Sequence, residues 1–175
     1  MVLSLVLPLL MAGAPEAADA DPLARARAGE LQCDGPDLAH RTCKAISTYV
    51  FAADGAVTNQ SESLISASGP MIMRTTSRVA VRDGAVCGPV SGEDIDQAQL
   101  VFAGRPINGQ QADQVKAQLK SGLGPMLGAE ICTRFAPAEN NGYMTRVTVN
   151  GQAAPPDAGV QVIWIKPGDG WTVAP

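Results

Sequence analysis

MIMRTTSRVAVRDG, residues 71–84, decides the fold class of this 175-residue sequence. Its apolar residues recur at alternate positions and therefore share one face of a strand. Asp83-Gly84 then forms a dipeptide that is typical of two-residue hairpin turns. We expect a half-buried strand over residues 71–82 that turns back into a second strand over residues 85–90. The apolar face carries Met71, Met73, Val79 and Val81, and the other face carries Arg74, Arg78 and Arg82.

Other stretches rich in β-branched and aromatic residues predict further short strands. Turns rich in Gly, Asn, Asp and Pro separate them, and short hairpin loops require antiparallel neighbours. The pattern indicates an antiparallel sheet of about eight short strands. Besides residues 71–82 and 85–90, strands are expected at residues 45–52, 56–66, 100–103, 130–136, 143–149, 160–166 and 171–173.

Helical signals are fewer. Ser91-Gly92-Glu93-Asp94 matches a capping box and begins a short helix. One long helix is expected from about Gln110 to Leu127, although Gly122, Gly124 and Pro125 favour a kink or an early end. Its apolar face would consist of Val115, Leu119, Leu123 and Met126.

These elements predict an α+β fold, in which a twisted antiparallel sheet has the long helix packed on one face. A partly closed β-barrel with a helix is the alternative.

The N-terminus has the order of features of a bacterial export signal. Residues 2–11 form a short apolar run, and Ala18-Asp19-Ala20 provides a cleavage site of the A-x-A type. No Lys or Arg precedes Arg25, so the basic start of such a signal is missing. We interpret residues 1–20 as a signal peptide, 21–32 as a flexible leader and 33–175 as a single disulfide-bonded domain. A buried N-terminal helix or strand is the alternative.

The four cysteines, Cys33, Cys43, Cys87 and Cys132, are an even number in a chain expected to reach the periplasm or the medium. This favours two disulfides over a metal site, because no C-x-x-C pair is present and His40 is the only histidine. We expect Cys33–Cys43 across a turn-rich segment, with Cys87–Cys132 as the second bond. A short helical turn over residues 36–42 would bring His40 close to Cys43, but an oxidised Cys43 could not act as a nucleophile.

The three arginines of residues 74–82 are the main candidate for a binding surface. Residues four apart on a strand lie on one face, about 13 Å apart. Arg74, Arg78 and Arg82 could therefore bind an extended anionic partner, such as a polyanion or an acidic peptide. The interpretation that we favour for these arginines is a solvated face whose charges pair with carboxylates on neighbouring strands.

The sequence lacks the short motifs that are typical of several functional classes. The net charge of −4 and an aromatic content of 4% disfavour nucleic-acid binding. No G-x-S-x-G, S-x-x-K or phosphate-loop motif is present, and no cofactor or metal is expected. Glu93, Asp94 and Asp96 suit the start of a helix. No apolar run after the signal is long enough to span a membrane.

These observations favour an exported, non-catalytic binding or accessory module with an unknown envelope or extracellular partner, protein or small ligand. The first alternative is a hydrolase-type enzyme whose residues converge from distant strands. The second is a secreted enzyme inhibitor that inserts the Cys33–Cys43 segment into a cleft.

We predict that the mature chain begins at Asp21, because the A-x-A site ends at Ala20. N-terminal sequencing of protein recovered from the periplasm or medium tests this. A cytoplasmic chain that retains Met1 would contradict it.

Overall fold

The computed structural model describes residues 21–66, 69–139 and 142–175, which contain three helices and thirteen strands. The helices are α1 (Ala24–Arg27), α2 (Gly92–Gln97) and α3 (Gln110–Gly122). The strands are β1 (Leu31–Asp34), β2 (Thr42–Cys43), β3 (Ala45–Phe51), β4 (Val57–Ser66), β5 (Met71–Arg82), β6 (Ala85–Pro89), β7 (Gln99–Phe102), β8 (Arg105–Ile107), β9 (Glu130–Pro137), β10 (Tyr143–Val149), β11 (Gln152–Ala153), β12 (Gln161–Ile165) and β13 (Thr172–Val173).

Eight strands close into an antiparallel barrel. Around the ring the order is β4, β3, β1, β12, β10, β9, β6 and β5, and β5 pairs again with β4. Strands β7 and β8 extend the sheet outward from the first residues of β5. The alternative prediction of a barrel with a helix is therefore the better description. The open sheet with one long helix on its face is not what the structure shows.

The short strand β1 completes the ring. It pairs with β3 on one side and with β12 on the other, and so joins the first hairpin to the last barrel strand. Its residues Leu31 and Gln32 belong to the segment expected to be a leader. Residues 21–32 thus contribute α1 and half of β1 to the barrel.

The interior is apolar where β3 ends and β4 begins. Leu23, directly before α1, is completely buried and packs with residues from opposite sides of the ring. The rings of Phe135 and Trp164 meet edge to face, with centroids 6.0 Å apart. The guanidinium carbon of Arg27 lies 4.0 Å from the centre of the Phe51 ring. The buried members of this cluster are Leu23, Ala26, Val57, Val86 and Trp164.

A second apolar cluster lies on the outer side of β1 and β12. Cys33, Cys43 and Ile165 are buried there, beneath the parallel pair of β2 and β13. The predicted helical turn over residues 36–42 is wrong, because Asp37 pairs with Thr42 across a tight turn. This pairing aligns the two ends of the segment that the Cys33–Cys43 bond closes.

The predicted long helix is shorter than expected. Helix α3 ends at Gly122, and the residues around Pro125 form a separate 3-10 turn over Gly124–Met126. Ala112 is its only buried residue, whereas Val115 and Leu119 are half-buried. The helix is therefore mostly exposed, and the Lys120–Asp96 ion pair links it to α2. Among the described residues, no helix has both the length and the apolar character needed to cross a membrane.

We predict that Leu23→Ala destabilises the protein by about 2–5 kcal/mol, because it leaves a cavity in the barrel interior. Leu38→Ala is the matched control: Leu38 is 61% exposed, so its loss should change the free energy of unfolding by less than about 0.5 kcal/mol. Urea unfolding of both variants measures the difference. Equal unfolding midpoints would show that Leu23 is not part of the core.

Candidate anion-binding groove

A groove of about 820 Å³ lies on the outer surface of the barrel. Strands β5, β6, β9 and β10 supply its base, which includes the disulfide between Cys87 and Cys132. The segment after β11, with Pro155 and Pro156, forms one wall. Three arginines, Arg82, Arg134 and Arg146, line the same groove.

The strand register places these arginines in one row that crosses neighbouring strands on the outer surface of the barrel. Arg134 is directly opposite Arg146 on the neighbouring strand, and Arg82 is directly opposite Ala85. Because Val86 pairs with Thr133, the preceding Ala85 lies beside Arg134. Neighbouring strands are about 4.8 Å apart, so the row spans only three strand intervals.

The charges in this row are not balanced. Arg82 forms an ion pair with Glu130, and Asp83 is the other carboxylate that lines the groove. In the described parts of the chain, neither Arg134 nor Arg146 forms an ion pair. Like charges directly opposite each other destabilise a sheet by a few tenths of a kcal/mol or more. An anion between the two guanidinium groups would reverse that effect.

Local sequence explains the wall of the groove. Asn150 and Gly151 both have positive φ, 49° and 79°, as required for a tight hairpin from β10 to β11. The Asn150 side-chain oxygen accepts a hydrogen bond from the backbone N–H of Glu130 at 2.9 Å, which fixes the turn against β9. The chain then returns along β10, where only glycine fits at position 159. A Cβ atom there would lie 2.4 Å from the backbone oxygen of Thr145.

Only one arginine of the predicted face lines the groove. Arg74, Arg78 and Arg82 all lie on the exposed side of β5, as expected. Arg74 pairs with Glu62 on β4 at 2.8 Å, which matches the favoured interpretation of a solvated, paired face. The groove contains Arg82 alone of the three.

Sequence reasoning missed Arg134 and Arg146, although a signal was present. The sequence predicts neighbouring strands at residues 130–136 and 143–149, and the Asn- and Gly-containing segment between them is typical of a hairpin turn. Counting six residues outward from Asn140 in each direction reaches these two arginines. The register of β9 and β10 shows the same correspondence.

Both disulfides have the pairing expected from the sequence. Cys33 and Cys43 have Cα atoms 5.5 Å apart, and Cys87 and Cys132 have Cα atoms 4.0 Å apart. Ligand atoms of Cys87, Cys132 and Glu130 lie within 4.8 Å of one another, which resembles a metal-binding group. The two sulfurs are bonded to each other, so only the carboxylate remains as an anionic ligand.

His40 does not form a nucleophilic pair with a cysteine. Its Nδ1 lies 2.9 Å from a carboxylate oxygen of Asp37, on the exposed loop. Hydrogen bonding and the charge of Asp37 raise the pKa of His40 above its usual value. Cys43 is buried in its disulfide.

The acidic residues of α2, Glu93, Asp94 and Asp96, form hydrogen bonds or ion pairs within the fold. The backbone N–H of Asp94 donates to the Ser91 hydroxyl at 3.1 Å, which confirms the predicted helix cap. Glu93 accepts a hydrogen bond from Gln97, one turn later. Asp96 pairs with Lys120 at 2.6 Å and links α2 to α3.

A polar chain lies inside the barrel, next to the aromatic core. The Tyr49 hydroxyl donates to the side-chain oxygen of Gln32 at 2.7 Å, and the Gln32 amide donates to Asp34 at 2.8 Å. Burial raises the pKa of Asp34, and the Gln32 hydrogen bond only partly opposes this. Burial and the nearby Asp34 charge raise the pKa of Tyr49. None of these three residues lines the groove described above.

Comparisons with protein-family models, curated proteins and solved structures find no match to this chain. Its function is therefore argued from the geometry of its own surfaces.

We predict that Asp34→Asn stabilises the protein at neutral pH. The folded-state pKa of Asp34 is raised above the ordinary 3.8, so folding binds protons and stability falls as pH rises through that interval. The advantage of the variant should shrink towards pH 4 and vanish below it, since Asn cannot ionise. Urea unfolding from pH 4 to pH 7 measures the trend.

Asp157→Asn is the control for this series: Asp157 is exposed, so the variant should leave the free energy of unfolding close to that of the wild type. A neutral-pH loss of stability in Asp34→Asn would show that the ionised carboxylate is required.

Proposed function

We propose that this chain is an exported, disulfide-bonded and non-catalytic binding module, and that its ligand is an anion held in the groove of Arg82, Arg134 and Arg146. The observation that carries the proposal is the direct opposition of Arg134 and Arg146 beside a concave surface. Arginine side chains suit oxyanions, because their planar groups donate parallel hydrogen bonds to two oxygens.

Export is supported by the two disulfides and by the position of the expected cleavage site. Disulfides persist mainly in oxidising compartments. Asp21 would be the first residue after cleavage, and its side chain is used by the fold. It accepts a hydrogen bond from the Leu23 N–H at 3.0 Å and pairs with Arg27 at 2.8 Å. Cleavage after Ala20 would retain both contacts of α1.

The enzyme-inhibitor alternative has one observation in its favour. Leu38 projects from the loop closed by Cys33–Cys43 and is 61% exposed. Single exposed leucines are common on protein surfaces. Two unpaired arginines directly opposite each other are less common, since their repulsion lowers stability. The groove is therefore the stronger site.

We predict that sulfate raises the melting temperature of the wild-type protein above its value in chloride at matched ionic strength, because ligand binding stabilises the folded state. The double variant Arg134→Gln, Arg146→Gln should show a smaller difference, because it keeps only the general stabilisation that sulfate gives to folded proteins. Thermal unfolding across a sulfate titration measures both.

Arg78→Gln is the matched control: Arg78 is exposed on the same barrel but outside the groove, so the variant should respond to sulfate as the wild type does. The same sulfate response in the double variant would place anion binding elsewhere.

A further inference from the structure

We propose that the ligand of the groove is a single amphiphile with one oxyanion head group and an apolar tail. This inference rests on the proposed function and specifies its ligand. The head would bind between Arg134 and Arg146, and the tail would lie along the apolar part of the groove beside Met144.

The arrangement of arginines suits one head group. Arg134 and Arg146 occupy a directly opposed cross-strand pair, in which Cβ atoms are about 5 Å apart. Two guanidinium groups at this spacing can donate to the oxygens of one carboxylate from both sides. Arg82 lies two strands away from Arg134 in the row and is occupied by Glu130.

The other charges disfavour a long polyanion. Asp83 and Glu130 both line the groove, where Asp83 follows Arg82 in the sequence and Glu130 is the ion-pair partner of Arg82. A chain of negative charges extending from Arg134 towards Arg82 would meet these carboxylates. The next arginines along β5 offer no continuation, since Arg78 is outside the groove and Arg74 is paired with Glu62. The electrostatic pattern therefore favours one anionic group and not a series of them.

The remainder of the groove suits an apolar tail. Met144 is 45% exposed and lines the groove next to the row of arginines. Ala153, Pro155 and Pro156 form a wall beside β10, the strand that carries Met144. The Cys87–Cys132 bond lies at the base, on the other side of the arginine pair from Met144. The volume of about 820 Å³ falls within the range of small-molecule sites, which are lined mainly by apolar groups with a few polar anchors. Because the groove has a wall, it suits a single bound molecule better than contact with a flat membrane surface.

The test measures binding of straight-chain carboxylates from acetate to decanoate by isothermal titration calorimetry, below the concentrations at which they aggregate. Each added methylene should tighten binding by about threefold to fourfold until the groove is filled. Decanol, which has the tail without the charge, should bind at least about tenfold more weakly than decanoate. The double variant Arg134→Gln, Arg146→Gln should lose at least about tenfold in decanoate affinity.

A matched pair of variants tests the tail. Met144→Ser should weaken decanoate binding several-fold and leave the sulfate response unchanged. Val160→Ser is its control, since Val160 is 44% exposed but does not line the groove. Equal decanoate affinities for these two variants would overturn the placement of the tail.

Three results would overturn the inference in distinguishable ways. Sulfate stabilisation with no gain from acetate to decanoate would leave the proposed anion site intact and remove the amphiphile. No response to sulfate or to any carboxylate would remove both. Binding to phosphatidylglycerol vesicles without binding of monomeric decanoate would replace the single amphiphile with a membrane surface.

Discussion

The pairing of β1 with both β3 and β12 is the constraint on which the barrel depends. Four residues, Leu31–Asp34, connect the hairpins of the first half of the chain to the last barrel strand. An open sheet would leave the edges of β3 and β12 unpaired, and closure removes both edges. The Cys33–Cys43 bond holds the loop after β1 against this closing seam, which is the pairing of β1 with β3 and β12. Leu23 packs in the barrel interior. Loss of the seam would therefore affect the inner and the outer apolar clusters together.

Closure also determines where the groove can form. Strands β6 and β9 are not consecutive in the chain, yet they pair in the ring and share the Cys87–Cys132 bond. That pairing brings Arg82 of one hairpin into the same row as Arg134 and Arg146 of another. The barrel interior, by contrast, is occupied by aromatic side chains and by the Tyr49–Gln32–Asp34 chain. The groove is instead lined by arginine side chains that point away from the interior.

Arg134 and Arg146 affect the stability of the protein differently from the paired arginines on the same barrel. Arg74 and Arg82 have carboxylate partners, and exposed pairs of this kind contribute little to stability. Arg134 and Arg146 repel each other, so their positions lower the stability of the protein alone. Sites that bind charged ligands commonly have this property, because the ligand supplies the missing charge. Asp34, by contrast, is half-buried and accepts a hydrogen bond from Gln32 within the protein.

Local sequence determined most of the strands and the cap of α2, and the turn-rich segment between Cys33 and Cys43 favoured that pair. The Cys87–Cys132 bond depends on the non-local pairing of β6 with β9. The alternation of residues 71–82 and the turn at Asp83-Gly84 are properties of neighbouring residues, so they can be recognised without a fold. The closure by β1 was not predictable in this way, because Leu31–Asp34 is short, half polar and followed by turn-forming residues. Its role depends on two partners, one of which is about 130 residues further along the chain. The convergence of Arg82 with Arg134 and Arg146 has the same origin, since the pairing of β6 with β9 is non-local and only the tertiary structure decided it.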